Sequence, residues 1–510
     1  MLNAWADGYV SEIAYTHGFY RELAPTLLAF AALAANHSSP DPARPLTYCE
    51  LGCGQGITTN LLAASNPHIQ FYANDFNPSH IAGARALADE AGCGNVHFLD
   101  SSFAEMADRT DLPEFDIIVL HGIYSWISPE NRQAIVRFIA RRLKVGGLVY
   151  ISYNTLPGWA AFLPLRQLLV ENAVDTAMPL TTRIDQSLKA AEALQQANAR
   201  YFLLNPGAAD RLKTIASQQR AYIAHEYFNR ESTPYYHTDL VDELSAAKLT
   251  WIAPARPLEA IDSLNFTEAQ LALLGGVQQR SRREGLKDFI LNQQFRRDLF
   301  VKGPLPLHAP QSDAMWARTL FILTVPAASL GELKIITPLG QLTLATDVYQ
   351  PVIDRLAQGP LTAGDLHAAL PQLLFAQICQ ALIILVAQGY AHPCIRPEQA
   401  AAIRPHTDRF NQAVMARARF SGDIGYLASP LTGTGLAMDQ MTQMLLSAHL
   451  AAGTADPVAS VWMHMQSCKQ RFVRDGQMLM DDQDNLTELR HRYDALLKDA
   501  WPVLKALQIV

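Results

Sequence analysis

The sequence contains 510 residues, of which 49% are hydrophobic and 17% are charged, and its formal net charge is −7. This length predicts several domains, and the apolar content excludes a wholly disordered chain. The acidic balance disfavours nucleic acid as a partner, and no apolar run approaches the ~20 residues that span a bilayer, so membrane insertion is not expected.

Strands alternate with helices over the first 155 residues. Helical patterns such as 78–92 and 131–143 separate five short runs rich in Val, Ile, Leu, Phe and Tyr. These predicted strands are residues 46–51, 69–75, 96–99, 115–121 and 147–153. The alternation predicts an α/β fold with a parallel, Rossmann-like sheet.

Beyond this unit the sequence changes to long helical patterns. The strand-like run 249–253 follows a helical run, so the sheet is expected to be completed near residues 236–255. Residues 333–392 combine a strand pair, three helices and a short strand, which is the outline of a winged helix. The predicted domains are a methyltransferase unit, a helical middle domain, a winged-helix-like domain and a helical C-terminal domain, at 1–160, 161–325, 326–398 and 399–510.

The most specific motif is the glycine-rich stretch ELGCGQG at residues 50–56, where the first predicted strand ends. Glycines let the backbone turn tightly and approach a ligand where a Cβ would clash. A dinucleotide-binding loop would place its third glycine at position 57, which is Ile57 here. The spacing favours S-adenosylmethionine, which has no phosphate. The predicted contacts from this loop are Glu50, Gly52, Cys53, Gly54 and Gly56.

Two acidic residues close the next two predicted strands. Asp75 can accept the ribose hydroxyls of the cofactor, and Asp100 can accept the adenine amine, with Phe103 near enough to stack. Either acid alone could be a helix cap or a solvated carboxylate. Together with the glycine loop they lie at the carboxyl ends of neighbouring strands, where such sheets bind ligands. Phe76 and Ser101 are included in the predicted cofactor site.

The fourth predicted strand ends in HGIYSW, residues 121–126. In this fold that tip faces the sulfonium, so His121 and Gly122 are predicted to contact the cofactor. Amine methyltransferases that carry the motif Asn/Asp-Pro-Pro-Tyr at this tip orient the amine by hydrogen bonds. In this sequence His121 occupies the first position of that motif, and Tyr124 is the tyrosine of its last position. Both are candidate catalytic residues. His121 is either a general base or a histidine that only contacts the cofactor, and Trp126 is interpreted as a packing or cofactor-wall residue.

The opening segment, ahead of Pro25, contains Tyr9, Tyr15, Phe19 and Tyr20. They are candidates for a lid over cofactor and substrate, and Tyr15 is predicted to contact the cofactor. The alternative is amphipathic packing, because residues 15, 19 and 20 share one helix face.

These motifs resemble those of bacterial class I methyltransferases with a methyltransferase regulatory domain. ELGCGQG, NDFNP, HGIYSW and KVGGLVYISYNTLPGW resemble the catalytic part, and the regulatory part is suggested by AHEY at 224–227, by Asp288 and by FRRDLF at 295–300. The group includes protein-lysine methyltransferases that act on bacterial outer-membrane proteins, so the resemblance implies that class of activity. His225 and Glu226 lack the HExxH spacing of a zinc site and are interpreted as structural.

The leading hypothesis is therefore a protein N-methyltransferase that uses S-adenosylmethionine, releases S-adenosylhomocysteine and modifies lysine, because large appended domains suit a large substrate. A small-molecule methyltransferase is the alternative among enzymes. A DNA-binding regulator that senses the cofactor is disfavoured, because the would-be recognition helix, 372–388, contains no Lys or Arg. Six cysteines without a CxxC pair and the absence of an apolar signal core predict a cytoplasmic protein with no metal site.

Overall fold

The computed structural model describes residues 9–10, 12–13, 17–175, 177–451, 453 and 456–510. Sixteen strands are formed by these residues. They are β1 Thr47–Leu51, β2 Gln70–Asp75, β3 Val96–Asp100, β4 Phe115–Leu120, β5 Leu143–Asn154, β6 Leu249–Pro254, β7 Phe295–Lys302, β8 Leu320–Leu323, β9 Lys334–Thr337, β10 Gly340–Thr343, β11 Leu361–Thr362, β12 Ala391–Cys394, β13 Tyr426–Ser429, β14 Thr434–Ala437, β15 Val473–Arg474 and β16 Gln477–Met478.

The described residues also form 23 α-helices. The first fifteen are α1 Pro25–Ala34, α2 Ile57–Ser65, α3 Pro78–Ala91, α4 Phe103–Asp108, α5 Pro129–Arg142, α6 Leu163–Glu171, α7 Leu180–Gln196, α8 Arg200–Leu204, α9 Pro206–Ala216, α10 Arg220–Tyr227, α11 His237–Ser245, α12 Asp262–Asn265, α13 Glu268–Gly275, α14 Arg280–Leu291 and α15 Ala309–Arg318. The others are α16 Thr346–Leu356, α17 Ala363–Ala369, α18 Phe375–Ala387, α19 Pro397–Arg417, α20 Gln440–Ala451, α21 Pro457–Ser467, α22 Asp482–Ala495 and α23 Trp501–Ala506.

A seven-stranded sheet forms the centre, in the order β3-β2-β1-β4-β5-β7-β6. β7 runs antiparallel to both of its neighbours, and the other neighbouring pairs are parallel. The predicted Rossmann-like α/β fold is confirmed. Strand order reverses between β1 and β4, and the carboxyl ends of strands at such a point form a crevice for a ligand.

The sheet is completed by residues far along the chain. β6 lies at its edge, and β7, between β5 and β6, was not predicted from the sequence. Three of its eight residues, FRRDLFVK, are Arg or Asp, which conceals the apolar pattern of a buried strand. Arg296 and Asp298 are nevertheless buried, because the Arg296 Nε donates to Asp298 Oδ2 at 2.8 Å.

Separate apolar clusters cover the two faces of the sheet. One joins α1 and α2 to the C-terminal helices, and the other contains α4, α5 and α11. The C-terminal region is fixed by polar contacts as well: the Asn66 side chain donates to the Gly433 carbonyl at 2.9 Å, and Arg417 pairs with Glu90 at 2.8 Å. The catalytic sheet and this region therefore share one core.

Residues after β7 form a small sheet in the order β11-β8-β12, with α16 to α18 around it and the hairpin β9–β10 beside it. The winged-helix assignment of this part stays a prediction. Among the described residues, no helix has the length and apolar character needed to cross a bilayer.

Candidate active site

The glycine loop connects β1 to α2. It packs against α3 and against the turn that follows β4. Gly52 and Gly56 have φ angles of 74° and 68°, in the left-handed region. A Cβ on Gly52 would lie 2.6 Å from Ile123 Cδ1, and a Cβ on Gly56 would lie 2.5 Å from the Ala84 Cβ. Ala84 is fixed in α3, so Gly56 in particular tolerates no side chain. The loop therefore presents its backbone, not side chains, at the crevice.

Asp75 ties the end of β2 to this loop. Its Oδ2 accepts a hydrogen bond from the Gly54 amide at 3.0 Å, and its Oδ1 accepts one from the Asn77 amide at 2.9 Å. His80 Nδ1 lies 3.2 Å from the same Oδ1. A carboxylate offers about four acceptor positions, so Oδ2 keeps one for a ligand.

A cavity of about 320 Å³ lies at the carboxyl ends of β1, β2 and β4. Its size is in the range of small-ligand sites. Two larger cavities, of about 490 and 570 Å³, contain no residue of the glycine loop. Eleven predicted cofactor residues line the first cavity: Glu50, Gly52, Cys53, Gly54, Gly56, Asp75, Phe76, Ser101, Phe103, His121 and Gly122.

The position of Asp100 does not support its predicted contact with the adenine amine. Asp100 is the last residue of β3, opposite Asp75 in register, but its side chain is exposed and does not line the cavity. The wall begins one residue later, with Ser101, and continues through Ser102 and Phe103.

Glu50 lies beneath the glycine loop and is buried. Burial raises the pKa of its carboxyl to about 7, and the negative charge of Asp75 acts in the same direction. The Thr59 hydroxyl donates to Glu50 Oε2 and opposes this rise. Glu50 therefore carries its charge only partly at neutral pH.

His121 follows β4 and lines the cavity. Burial lowers the pKa of its imidazole to about 4, so the ring is neutral at physiological pH. The ring of Tyr20 lies against it, tilted by 30° with centroids 3.8 Å apart, and Phe295 lies edge-on at 6.3 Å. The residue predicted as a possible base is thus a neutral imidazole in an aromatic pocket.

Tyr124, predicted as catalytic, lies outside the cavity. It is wholly buried in the cluster beneath β4 and β5, and its hydroxyl donates to Glu243 Oε1 at 2.8 Å. Tyr235 donates to the other oxygen of Glu243 at 3.1 Å. The 3-10 turn Tyr124–Trp126 directs the tyrosine into the core and places Trp126 at the cavity wall. The catalytic assignment of Tyr124 is therefore withdrawn.

Of the lid candidates, Tyr9 and Tyr20 line the cavity. Tyr9 lies edge-on to Phe76, with ring centroids 5.7 Å apart. Phe19 packs in the core against Tyr426, and Tyr15 lies outside the described residues. Sequence reasoning did not single out several other wall residues: Thr58, Asn74, His80, Ile123, Ile127 and Asn131. The sequence feature that could have identified these residues is their position within or close to the motifs.

The residues of the cavity wall fit S-adenosylmethionine. Bare backbone at the glycine loop, a free position on Asp75 Oδ2 and the apolar side chains of Phe103 and Ile123 suit an uncharged nucleoside and a methionine chain. No cluster of three or more His, Cys, Asp or Glu side chains that could hold a metal ion occurs among the described residues.

Comparisons with known proteins agree with this geometry. Residues 49–147 match the family described as "Methyltransferase domain", and residues 219–302 match "Predicted methyltransferase regulatory domain". The Synechocystis protein sll1526 is 42% identical over 99% of both chains, and the Rickettsia prowazekii protein RP789 is 27% identical over 51% of this chain and 46% of its own.

Among solved structures, this chain is similar to PKMT2 from Rickettsia typhi in complex with AdoHcy. The TM-score is 0.69, the identity is 18%, and the similarity covers 94% of this chain and 98% of the other. The fold is thus shared along nearly the whole length.

Sheet order, glycine loop and family matches together define an S-adenosylmethionine-dependent methyltransferase of class I. The 42% identity with sll1526 covers nearly the full length of both chains. The chain belongs to the bacterial class I methyltransferases that carry a methyltransferase regulatory domain.

Proposed function

We propose that this methyltransferase modifies lysine side-chain nitrogens of a protein substrate. The observation that carries the proposal is the extent of the similarity to Rickettsia typhi PKMT2, which includes the helical regions outside the sheet over 94% of this chain. Those regions provide binding surface beyond the 320 Å³ cavity. Binding energy from remote parts of a large substrate can promote reaction at the cavity.

The cavity residues have distinct proposed roles toward the cofactor, which supplies the electrophilic methyl group when bound. Asp75 Oδ2 accepts a ribose hydroxyl, and the glycine loop backbone approaches the methionine chain. Ser101 and Phe103, not Asp100, contact the adenine. His121 marks the methyl end of the cavity, because it lies at the tip of β4 beside the Tyr20 ring.

The acceptor end favours a neutral amine. A protonated lysine has no lone pair, and its ordinary pKa of ~10.4 leaves a small neutral fraction at pH 7. The aromatic rings of Tyr20 and Phe295 around His121 exclude water, and desolvation disfavours an ammonium ion. The amine can therefore lose its proton to solvent on entry, and orientation then brings it into line for attack.

Labelling of a fractionated bacterial lysate tests the proposal. The purified enzyme and a methyl-labelled cofactor are incubated with the protein fraction and, separately, with the small-molecule fraction of the same lysate. We expect label in the protein fraction. Label confined to the small-molecule fraction would support a small-molecule methyltransferase and reject the proposal. An Asp75→Ala enzyme is the control for background transfer.

A further inference from the structure

His121 is held by a tyrosine on the neighbouring strand. Its Nδ1 lies 2.8 Å from the Tyr150 hydroxyl, and Tyr150 is wholly buried on β5 beside Val119 of β4. The rings of Tyr20 and Phe295 flank the imidazole and limit its rotation. Nε2, on the opposite edge of the ring, has no hydrogen-bond partner among the described residues, although His121 lines the cavity.

A second hydroxyl on β5 holds the residue after His121. Ser152 is two residues after Tyr150, so both side chains project from the same face of the strand. The Gly122 amide donates to Ser152 Oγ at 2.8 Å, and Ser152 is wholly buried. Two hydrogen bonds to β5 therefore hold the tip of β4 at the cavity, one at His121 and one at Gly122.

The direction of the hydrogen bond between Tyr150 and His121 follows from its buried donor. A phenol hydroxyl has a single hydrogen to give, and His121 Nδ1 lies 2.8 Å from the Tyr150 hydroxyl. If Tyr150 donates to Nδ1, its hydrogen has an acceptor. In the reverse direction the wholly buried Tyr150 hydrogen would have no acceptor among the described residues, an unfavourable arrangement.

Because the imidazole is neutral, one ring nitrogen accepts and the other carries hydrogen. We propose that Tyr150 is a positioning residue that holds His121 as a fixed hydrogen-bond donor, with Nε2–H directed to an oxygen of a ligand in the cavity. That oxygen belongs either to the carboxylate of the cofactor or to a backbone carbonyl of the acceptor protein.

His121 is consequently not the base for methyl transfer; this part of the inference rests on the proposed lysine acceptor. The lysine proton leaves to solvent before attack. The amine lone pair then forms the N–CH3 bond while the S–CH3 electron pair stays on sulfur. Nε2 has no free lone pair for that proton while it carries its own hydrogen.

Nuclear magnetic resonance of the full chain with ¹⁵N-labelled histidine tests the tautomer without an acceptor protein. His121 is assigned by the ring signals that disappear in His121→Gln. We expect Nε2–H alone in the wild type at pH 7.5, and a mixture of tautomers in Tyr150→Phe. Nδ1–H in the wild type overturns the inference, whether or not the variants fold.

The matched control is Tyr48→Phe. Tyr48 is another wholly buried tyrosine, and its hydroxyl donates to the Leu23 carbonyl at 2.9 Å. This variant loses one buried hydrogen bond but leaves the hydrogen bond between Tyr150 and His121 intact. We expect its His121 signals to match the wild type. The same mixture of tautomers in Tyr48→Phe and Tyr150→Phe would contradict a specific role for Tyr150.

Kinetics then tests the donor role. His121→Gln keeps an N–H donor but has no basic nitrogen, so it should retain activity within about tenfold of wild type while His121→Ala loses more. Equal losses of roughly 10²–10⁴ in both variants would assign a general base instead.

Binding measurements on His121→Ala locate the oxygen that accepts from Nε2–H. A weaker Kd for S-adenosylhomocysteine places that oxygen on the cofactor. A raised KM for the protein substrate with an unchanged Kd for S-adenosylhomocysteine places the oxygen on the protein substrate. If neither the Kd nor the KM changes, the donor role is rejected.

Discussion

The Gly54 amide donates to Asp75 Oδ2 at 3.0 Å and so joins the glycine loop to the end of β2. This contact fixes the carboxylate that we assign to the cofactor ribose. Asp75→Ala removes a charged acceptor, and hydrogen bonds to charged groups contribute about 1.5–3 kcal/mol, or roughly 10- to 150-fold in affinity. Calorimetric titration with S-adenosylhomocysteine should show that loss.

Asp100→Ala is the matched control for Asp75→Ala, since it removes the neighbouring strand-end carboxylate. The exposed Asp100 side chain lies outside the cavity, so its affinity should stay within a few-fold of wild type. Comparable losses in the two variants would restore Asp100 to the cofactor site and contradict the position found for it.

Tyr124→Phe should affect stability and not catalysis. The variant loses the hydrogen bond to Glu243 Oε1, a contact to a charged group worth about 2 kcal/mol, inside a closed core. We expect a lower midpoint of thermal unfolding and unchanged kcat and KM below that temperature. Tyr235→Phe, which removes the other donor to Glu243, should behave alike. A large fall in kcat without loss of stability would return Tyr124 to the active site.

Glu50 should make stability depend on pH. Its folded pKa of about 7 exceeds the ordinary value of 4.5, so above pH 4.5 the unfolded chain releases this proton before the folded one. The stability due to its neutral form is present at low pH and is lost as pH rises toward 7, by on the order of 3 kcal/mol. Glu50→Gln should therefore raise the unfolding midpoint at pH 8, with a diminishing gain toward pH 5.

The exposed Glu114→Gln is the control for this pH dependence, because it removes an equal charge without relieving burial. A pH-independent effect of Glu50→Gln would show that its carboxyl is not neutral in the fold. Binding of S-adenosylhomocysteine should be measured on the same variant, since Glu50 also lines the cavity.

The sequence predicted the fold well where local pattern and packing agree. Six of the seven central strands coincide with strand-like runs in the sequence, and the glycine spacing located the cavity. β7 was missed because its charged residues are buried. Arg296 pairs with Asp298 of the same strand and with Asp288 of α14, whose Oδ1 accepts from Arg296 Nη1 at 2.7 Å. Burial of such charges depends on tertiary partners that a local pattern does not contain.

Errors at the site have a similar cause. Motifs identify which loop faces a ligand, but the direction of each side chain depends on strand register and local turns. Asp100 is one residue from the wall, and the 3-10 turn after β4 carries Tyr124 into the core. Tyr150 and Ser152 gave no sequence signal, because they lie in a strand whose apolar pattern suggested only packing.

The most direct test of lysine methylation is the chemical identity of the labelled atom. Protein labelled by the wild-type enzyme is divided between mild base, which hydrolyses methyl esters, and complete acid hydrolysis followed by amino-acid analysis. We predict label that resists base and is recovered as Nε-methylated lysine, and less of it with Asp75→Ala at a limiting cofactor concentration. Label released by base, or recovered on any residue other than lysine, would contradict the proposed function.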